Sequence, residues 1–209
     1  MSEVFLVTAT PNLEQHMAYC ARVSSPNNQN NTETAPKLLK YCMDHGHWSV
    51  FEMANVVIEI NTTRDIARQI LRHRSFSFQE FSQRYAESTD FEFSEVRMQD
   101  HKNRQNSIET DDEYLSQFWE SAQGRLITDA KYLYKRALEN GIAKEVARKI
   151  LPEGLTMSRM YVNGTVRSWL HYCDVRCGPE TQKEHREVAL KCRDVLQSLL
   201  PSLEIGNDS

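Results

Sequence analysis

The run from Arg72 to Tyr85, RHRSFSFQEFSQRY, concentrates side chains that can bind an anion and pack against a ring. Two arginines flank His73, and seven residues separate Arg74 from Ser82. An arginine guanidinium is a planar fork of five N–H donors that matches phosphate and carboxylate groups, and its face stacks on conjugated rings. The same run also holds four aromatic side chains, Phe76, Phe78, Phe81 and Tyr85. These residue types favour a flat, anionic ligand such as a nucleotide or a flavin.

Two other interpretations of this run compete with the first. It could be the solvated, charged end of a helix beside aromatic core residues, or an arginine-rich module that binds nucleotides or nucleic acid without catalysis. The net charge of −4 argues against a general nucleic-acid-binding protein, because those usually carry a strongly basic face. The 25 basic residues comprise 16 Arg and 9 Lys, and no Lys lies between Arg64 and Arg84. An arginine cluster in an acidic chain indicates a specific anion pocket.

Other motifs narrow the choice of chemistry. Neither a GxGxxG turn nor a GxxxxGK[ST] loop is present, so we expect no Rossmann or P-loop nucleotide site. The segment HGHWSVFE at residues 45–52 carries two imidazoles, an indole and a hydroxyl, although such a segment is more often an ordinary turn before a strand. A zinc site could be imagined but lacks paired CxxC spacing, so we expect no metal at His171, Cys173, Cys177 and His185.

Cysteine usage and hydropathy bear on the compartment and on nucleophilic catalysis. The five cysteines are scattered, no secretory leader is evident at the start of the chain, and no apolar run approaches 18 residues. We therefore expect a cytoplasmic protein with reduced thiols that does not associate with a membrane. No cysteine lies in a recognisable electropositive turn, which makes a cysteine nucleophile a weak candidate.

The elements that must position these residues can be outlined from periodicity. Val56, Ile58 and Ile60 alternate with the mostly polar set Asn55, Val57, Glu59 and Asn61, which predicts a half-buried strand. The pattern predicts strands at 4–8, 55–61, 92–98 and 155–162, and helices at 13–23, 35–44, 112–139, 142–151, 165–174 and 181–200. Arg167 and His171 then share one helix face. No linker or repeat divides residues 1–209, so we expect a single domain.

A further helix is predicted immediately before the arginine run. Thr63 looks like its N-cap, and its apolar face carries Ile66 and Ile70. Three arginines recur every fourth residue on roughly the opposite face, Arg64, Arg68 and Arg72. This helix should deliver Gln69 and Arg72 toward a common site.

The same residues resemble the signature of the flavin-dependent thymidylate synthases. That signature is Arg-His-Arg, then seven residues, then Ser, with Glu two residues before the Ser and Arg-Tyr two and three residues after it. The matching residues here are Arg72, His73, Arg74, Glu80, Ser82, Arg84 and Tyr85. Further similar segments are HGHWSVFE, ARQILRHR, ARKILP and VRSWLHYCDVR. The resemblance covers nearly the whole chain.

The resemblance implies an α+β fold, a mostly antiparallel sheet flanked by helices, in a homotetramer with shared active sites. It implies reductive methylation of dUMP to dTMP, with methylenetetrahydrofolate as carbon donor, FAD carrying the hydride, NADPH as reductant, and tetrahydrofolate released. Carried over by position, the dUMP contacts are Gln69, Ile70, Leu71, Arg72, Glu80, Phe81, Ser82, Gln83, Arg84, Arg148 and Arg176. The FAD contacts are Ser49, Arg72, His73, Arg74, Glu80, Thr165, Val166, Arg167 and His171, and His47 faces the folate or nicotinamide. Relatives often carry Asn where this chain has Gln79, Thr165 and His171.

Within that reaction, Arg176 is the candidate catalytic residue. Activating C5 of the uracil ring builds negative charge on the carbonyl oxygens and N3, which a fixed guanidinium stabilises. We interpret Ser82 as a hydrogen-bonding group for phosphate or ribose, because a serine nucleophile needs an adjacent base. The alternatives are the non-catalytic binding module, a cysteine-dependent methyltransferase acting on uridylate, and a merely structural ion pair between Arg176 and Asp174.

Overall fold

A computed structural model describes residues 2–87 and 90–206 of the chain. Its strands are β1 (Glu3–Ala9), β2 (Asn55–Thr63), β3 (Ser77–Glu80), β4 (Arg97–Gln99), β5 (Ser107–Glu109) and β6 (Met157–Thr165). Its helices are α1 (Leu13–Ala21), α2 (Ala35–Asp44), α3 (Arg64–Ile70), α4 (Glu113–Glu139), α5 (Lys144–Ala147), α6 (Val166–Arg176) and α7 (Lys183–Leu199). Short 3₁₀ turns occupy Pro26–Asn28, Trp48–Met53 and Arg148–Ile150.

The principal sheet has the strand order β1-β2-β6-β3. Val56, Ile58 and Ile60 are fully buried on β2, as their alternation predicts. The two central strands run antiparallel, because Val166 at the end of β6 donates to Ala54 at the start of β2, whereas Arg64 at the end of β2 donates to Thr156 at the start of β6. The fold is therefore α+β with an antiparallel sheet, as expected.

The chain forms two compact units. We call Glu3–Ile60, Leu71–Gln79 and Tyr161–Ser209 the sheet unit, and Met1–Ser2, Asn61–Ile70 and Glu80–Met160 the long-helix unit. The expectation of a single domain over residues 1–209 stays a prediction.

In the sheet unit, helices pack around a core built on the buried strand faces. Helix α6 packs against α7 and the Trp48–Met53 turn, and α1 packs against α2. The indole Nε1 of Trp169, fully buried on α6, donates to the carbonyl of Val56 at 3.0 Å. This bond satisfies a polar atom that burial would otherwise leave unpaired.

The long-helix unit is built around the 27-residue helix α4. Asp112 caps its start by accepting from the backbone N–H of Leu115 at 3.1 Å. Gly141, with φ of +78°, ends it in the left-handed conformation that the Asn140-Gly141 pair predicts. The helix packs against α5, and β4 and β5 pair as a small antiparallel ladder.

Several predicted boundaries are wrong for identifiable physical reasons. The helix after Thr63 ends at Ile70, so Arg72 lies in the turn beyond it and not on a shared helical face. Thr63 is the last residue of β2, and its hydroxyl donates to the Asp65 carboxylate at 2.5 Å instead of capping the helix. The helix expected at 142–151 is α-helical only at Lys144–Ala147, and Leu151 is extended because Pro152 follows it.

The three short strands β3, β4 and β5 differ most from the sequence prediction. The strand expected at 92–98 begins only at Arg97, and β3 and β5 were not expected at all. Strands of three or four residues carry little alternation, and their partners lie elsewhere in the sequence. Along the described residues no helix is long and apolar enough to cross a membrane.

Candidate active site

The arginine run begins in the turn between α3 and β3. Arg72 and Arg74 are exposed, and His73 between them is partly buried. The turn is closed by a hydrogen bond from the N–H of Phe76 to the carbonyl of His73 at 3.2 Å. Phe76 itself is buried against Trp169, with ring centroids 4.5 Å apart. This aromatic side chain of the motif therefore anchors the turn in the core and leaves the cations outside.

Arg176, at the end of α6, contacts His73 within the sheet unit. Its Nε donates to Nε2 of the imidazole at 2.9 Å. No carboxylate of the described residues forms an ion pair with Arg176, and the structural pair with Asp174 is not formed. A partly buried guanidinium without a countercharge is costly unless an anionic or polar ligand compensates it.

The imidazole of His73 is held in its neutral form. Its pKa is lowered from 6.5 to about 4, first by burial and then by the positive charge of Arg176 and by His171 and Arg72. A neutral imidazole can accept a hydrogen bond, which a protonated one cannot.

The sheet unit contains a cavity of about 630 Å³ beside α6. Arg167 and His171, one helical turn apart, both line it, which confirms that they share a helix face. The indole of Trp48 and the side chains of Met43 and Leu170 supply apolar surface. A cavity of this size and composition is typical of sites that bury a ring system.

The charged groups at the cavity are partly neutralised. Arg167 donates to the carboxylate of Glu52 at 2.9 Å, and both side chains are exposed. Asp174 also lines the cavity. Glu52 was part of the predicted HGHWSVFE segment but was not expected to be a partner of Arg167.

Two residues assigned to FAD have structural tasks in this unit. The hydroxyl of Thr165 caps α6 by accepting from the N–H of Ser168 at 3.2 Å. Val166 is fully buried, and its N–H donates to Ala54. Ser49 is exposed within the 3₁₀ turn. None of these three lines the cavity, so their flavin contacts stay predictions.

His47 lies at the N-terminal end of the Trp48–Met53 turn and is exposed. Gly46 before it has φ of +68°, a conformation that side chains rarely adopt. The ring of Tyr41 stacks on His45 at 4.0 Å and meets His47 edge-on at 5.9 Å. The turn therefore presents His47 at the surface beside the rings of Tyr41 and His45.

In the long-helix unit, Glu80 forms part of a charged network. Its Oε1 accepts from the hydroxyl of Ser158 at 2.9 Å and from Arg64 at 3.4 Å. The buried Arg64 also donates to Glu153, as does Arg68. Burial alone would raise the pKa of Glu153, but the hydrogen bonds and charges of Arg68 and Arg64 outweigh it and lower that pKa. The network fixes one oxygen of Glu80, and the described residues make no bond to the other.

Ser82, Gln83 and Arg84 form a turn after Glu80. The hydroxyl of Ser82 accepts from the backbone N–H of Arg84 at 3.4 Å, and the Arg84 side chain pairs with Glu145 at 3.3 Å. Gln83 is only 4% exposed, yet its buried Nε2 makes no hydrogen bond to the described residues. A buried amide without a partner is costly, which marks it as a candidate ligand contact.

The remaining members of the dUMP set are distributed over this unit and the turn after α3. Ile70 is buried in the core, while Gln69, Leu71, Phe81 and Arg148 are partly exposed. The N–H of Phe81 donates to the carbonyl of Arg159 at 2.8 Å. Arg148 makes no ion pair with the described residues, and Glu145 and Glu153 pair with other arginines.

Sequence reasoning missed two residues that shape these clusters. Ser158 lies on the buried face of β6, together with Met160 and Val162. A polar residue at a buried strand position indicates a hydrogen-bonding role, and the sequence alone could have revealed it. Tyr172 is fully buried, and its hydroxyl has no partner among the described residues. Its role as an aromatic support could not be read from the sequence, because it depends on the neighbours that tertiary packing provides.

The thiols lie mostly in the core. Cys42, Cys173, Cys177 and Cys192 are buried and Cys20 is partly exposed, and all five are thiols outside any disulfide. Burial raises the pKa of Cys42, and the pKa of Cys173 is raised mainly by its bond to Cys177. Among the described residues, no group of three or more His, Cys, Asp or Glu could hold a metal ion.

Comparisons with known proteins identify the family. Residues 5–202 match the family described as thymidylate synthase complementing protein. The chain is 54% identical over 187 residues to the flavin-dependent thymidylate synthase of Synechocystis sp., a match covering 90% of this chain and 86% of that protein. It is 49% identical over 191 residues to the probable flavin-dependent thymidylate synthase of Paramecium bursaria Chlorella virus 1, covering 91% and 88%.

A solved structure of a methylase has a similar fold. The UMP/dUMP methylase PolB from Streptomyces cacaoi, bound with 5-Br dUMP, superposes with a TM-score of 0.85 at 25% identity, covering 97% of this chain and 92% of that one. The chain therefore belongs to the thymidylate synthase complementing protein family, the family of the flavin-dependent thymidylate synthases.

Proposed function

We propose that this chain converts dUMP to dTMP, taking the one-carbon unit from methylenetetrahydrofolate and reducing equivalents from NADPH through FAD. The observation that carries the proposal is Arg176, a partly buried cation oriented by a neutral histidine and without a carboxylate partner among the described residues. Its family membership and the Arg72 to Tyr85 signature support the same reaction.

Arg176 would stabilise the pyrimidine as its C5 becomes nucleophilic. The charge that develops on the carbonyl oxygens and N3 is best met by a donor already fixed in place. His73 occupies the Nε–H of Arg176, which leaves the terminal amino groups for such a contact. Arg176 thus replaces the covalent activation that a cysteine would provide.

The sheet unit offers groups that fit a flavin dinucleotide. Arg72 and Arg74 are exposed cations without ion-pair partners among the described residues, and they suit a pyrophosphate. The cavity lined by Trp48, Arg167 and His171 suits a flat ring. When bound, FAD would supply the hydride chemistry, while the protein orients the reactants and excludes water. We propose the full set as Ser49, Arg72, His73, Arg74, Glu80, Thr165, Val166, Arg167 and His171.

The dUMP contacts are proposed from the signature and its flanking segments. The unpaired amide of Gln83 and the unpaired guanidinium of Arg148 are the members whose present surroundings best fit a missing ligand. Ser82 and Arg84 would meet phosphate or ribose. The other proposed members are Gln69, Ile70, Leu71, Arg72, Glu80, Phe81 and Arg176, with His47 toward the folate or nicotinamide.

We further propose a homotetramer. Large apolar side chains lie exposed along α4, including Tyr114 at 77%, Phe118 at 60% and Leu133 at 52% exposure. Apolar patches of this kind usually mark an interface. In a tetramer, the residues that hold one ligand can come from different subunits, which suits the distribution of the proposed contacts along the chain.

The deciding experiment is reconstitution with FAD followed by an assay for dTMP. The purified protein should show a flavin spectrum, bleach with NADPH, and form dTMP only when dUMP and methylenetetrahydrofolate are both present. A protein that neither binds FAD nor forms dTMP but retains nucleic acid would favour the binding module.

A variant lacking all five cysteines tests the other alternative. Full activity would eliminate a cysteine-dependent methyltransferase, and the burial of Cys42, Cys173, Cys177 and Cys192 already disfavours it. We expect a protein without membrane association in the cytoplasm, which fractionation of the source cells would test.

A further inference from the structure

We propose that His73 is a positioning residue, whose Nε2 lone pair fixes the guanidinium plane of Arg176 so that both terminal nitrogens can contact the ligand. This inference rests on the proposed role of Arg176 in activating the pyrimidine. It concerns a different task from flavin binding, for which His73 was also proposed.

The bond between the two residues determines the tautomer of His73. The Nε of an arginine always carries a proton, so at 2.9 Å the Nε2 of His73 must offer a lone pair. The single proton of the neutral imidazole is therefore on Nδ1. Because Nε–H of Arg176 is occupied, rotation of the guanidinium about its last side-chain bond would break this hydrogen bond.

Aromatic packing fixes the imidazole ring. The ring of Tyr172 meets it edge-on, with centroids 5.1 Å apart and planes at 78°, and Phe76 lies 6.2 Å away. Phe76 is itself wedged between Trp169 and the backbone of Gly164. His73 is therefore held from the core side, and it transmits that rigidity to Arg176.

No carboxylate of the described residues is among the groups that shift the pKa of His73. Burial lowers it most, followed by the charges of Arg176 and His171 on α6 and of Arg72 in the turn, and together they bring it to about 4. The neutral Tyr172 on α6 and His185 on α7 also face the imidazole. At neutral pH the acceptor is therefore present without an added carboxylate, whose negative charge would weaken the pull of Arg176 on the pyrimidine.

A double-mutant cycle in the flavin-reconstituted enzyme separates positioning from other roles. His73→Gln keeps an acceptor oxygen, and His73→Leu removes it. We expect His73→Leu to lower kcat for dTMP formation by about tenfold to a hundredfold, because a misplaced catalytic group costs that much, and His73→Gln to recover most of it. In an Arg176→Lys background, the added His73→Leu change should lower kcat by less than about threefold.

The inference would be overturned if the fold-losses in kcat of His73→Leu and Arg176→Lys multiplied in the double variant. It would also be overturned if His73→Gln were as slow as His73→Leu. Flavin occupancy, measured on every variant, corrects for any weakened FAD binding. His101→Gln, at an exposed histidine outside the site, serves as the control and should retain wild-type kcat.

A second measurement does not depend on activity. In protein labelled with ¹⁵N-histidine, the resonance lost in His73→Gln should show a protonated Nδ1 and an unprotonated Nε2 at pH 7, and its Nε2 shift should change in Arg176→Lys. A protonated Nε2 would sink the proposal. If the wild-type enzyme forms no dTMP, the proposed function fails, yet this spectrum still decides whether His73 holds Arg176.

Discussion

At the scale of residues, the chain keeps several arginines away from carboxylates. Glu145 pairs with Arg84, Glu153 with Arg64 and Arg68, and Glu52 with Arg167. Among the described residues, Arg72, Arg74, Arg148 and Arg176 form no ion pair. Because an unpaired cation contributes little to folding, these four are better explained by ligands than by stability.

Replacing Arg176 tests this explanation most directly. Arg176→Lys keeps the charge but loses the planar two-point contact, so kcat should fall about a hundredfold or more. Flavin occupancy and the thermal midpoint should stay close to wild type, because Arg176 forms no ion pair with the described residues that the substitution could break. Steady-state dTMP formation, flavin absorbance and thermal unfolding measure the three quantities.

Arg104→Lys, at an exposed position in the loop between β4 and β5, is the matched control and should be silent. Near-normal dTMP formation by Arg176→Lys would remove Arg176 from the catalytic machinery. A large loss of stability would instead assign it to the scaffold.

At the scale of elements, helix α6 carries both the candidate catalytic residue and the cavity residues. Its first turn is fixed by the Thr165 cap, and its last turn by the contact of Arg176 with His73. Trp169 and Tyr172 between them are fully buried. A displacement of this helix would therefore move Arg176 and His171 together.

The cap at the start of α6 makes position 165 a test of a structural role for Thr165. Both Thr and Asn can accept from a backbone N–H at a helix start. Thr165→Asn should therefore leave stability nearly unchanged, whereas Thr165→Val, which keeps the shape and removes the acceptor, should lower the free energy of unfolding by about 1 kcal/mol. Urea unfolding at fixed protein concentration compares the two, and equal losses would contradict a capping role.

Strand β6 needs a glycine where Phe76 approaches its backbone. A Cβ at position 164 would lie 2.3 Å from Cδ1 of Phe76, and that ring cannot move away because it packs against Trp169. Gly164→Ala should therefore cost about 1–3 kcal/mol of stability, seen as a lower thermal midpoint. Gly154→Ala, with open space around its Cβ position, is the control. Adding Phe76→Leu to Gly164→Ala should restore part of the loss; no recovery would mean that the clash is not the cause.

At the scale of the whole molecule, two histidines whose pKa values are lowered in the folded protein make stability depend on pH. Burial, with Arg176 nearby, lowers the pKa of His73 to about 4 and that of His185 to about 3, from 6.5 in each case. As pH falls below 6.5, the unfolded chain takes up protons that the folded chain refuses. Stability is therefore highest above pH 6.5 and declines toward the folded-state pKa values, by at most about 1.4 kcal/mol per pH unit for each histidine that stays neutral in the folded protein.

Chemical unfolding at pH values between 7.5 and 5 should reveal this decline. The lowered pKa of Glu153 affects stability only below pH 4.5, so any change in the free energy of unfolding between pH 7.5 and 5 reports on the histidines. His73→Gln should flatten the slope in that window, and His101→Gln should not. Constant stability from pH 7.5 to 5 would show that neither His73 nor His185 stays neutral in the folded protein.

The sequence by itself determined the long, strongly periodic elements and the chemistry of the motif. Helix α2 has the predicted bounds, and α4 and β2 agree within two residues, because their apolar periodicity, caps and glycines act locally. The signature from Arg72 to Tyr85 also predicted the family, since it combines residue types with fixed spacing.

Only the tertiary structure decided which of these residues meet. His73 and Arg176 are 103 positions apart, and Glu80 and Ser158 are 78 apart. Whether Arg176 pairs with Asp174, and whether Arg72 continues a helix or turns away from it, depended on packing energies spread over the aromatic core. Such contacts leave no periodic trace in the sequence, because each is fixed by neighbours that folding brings from distant segments.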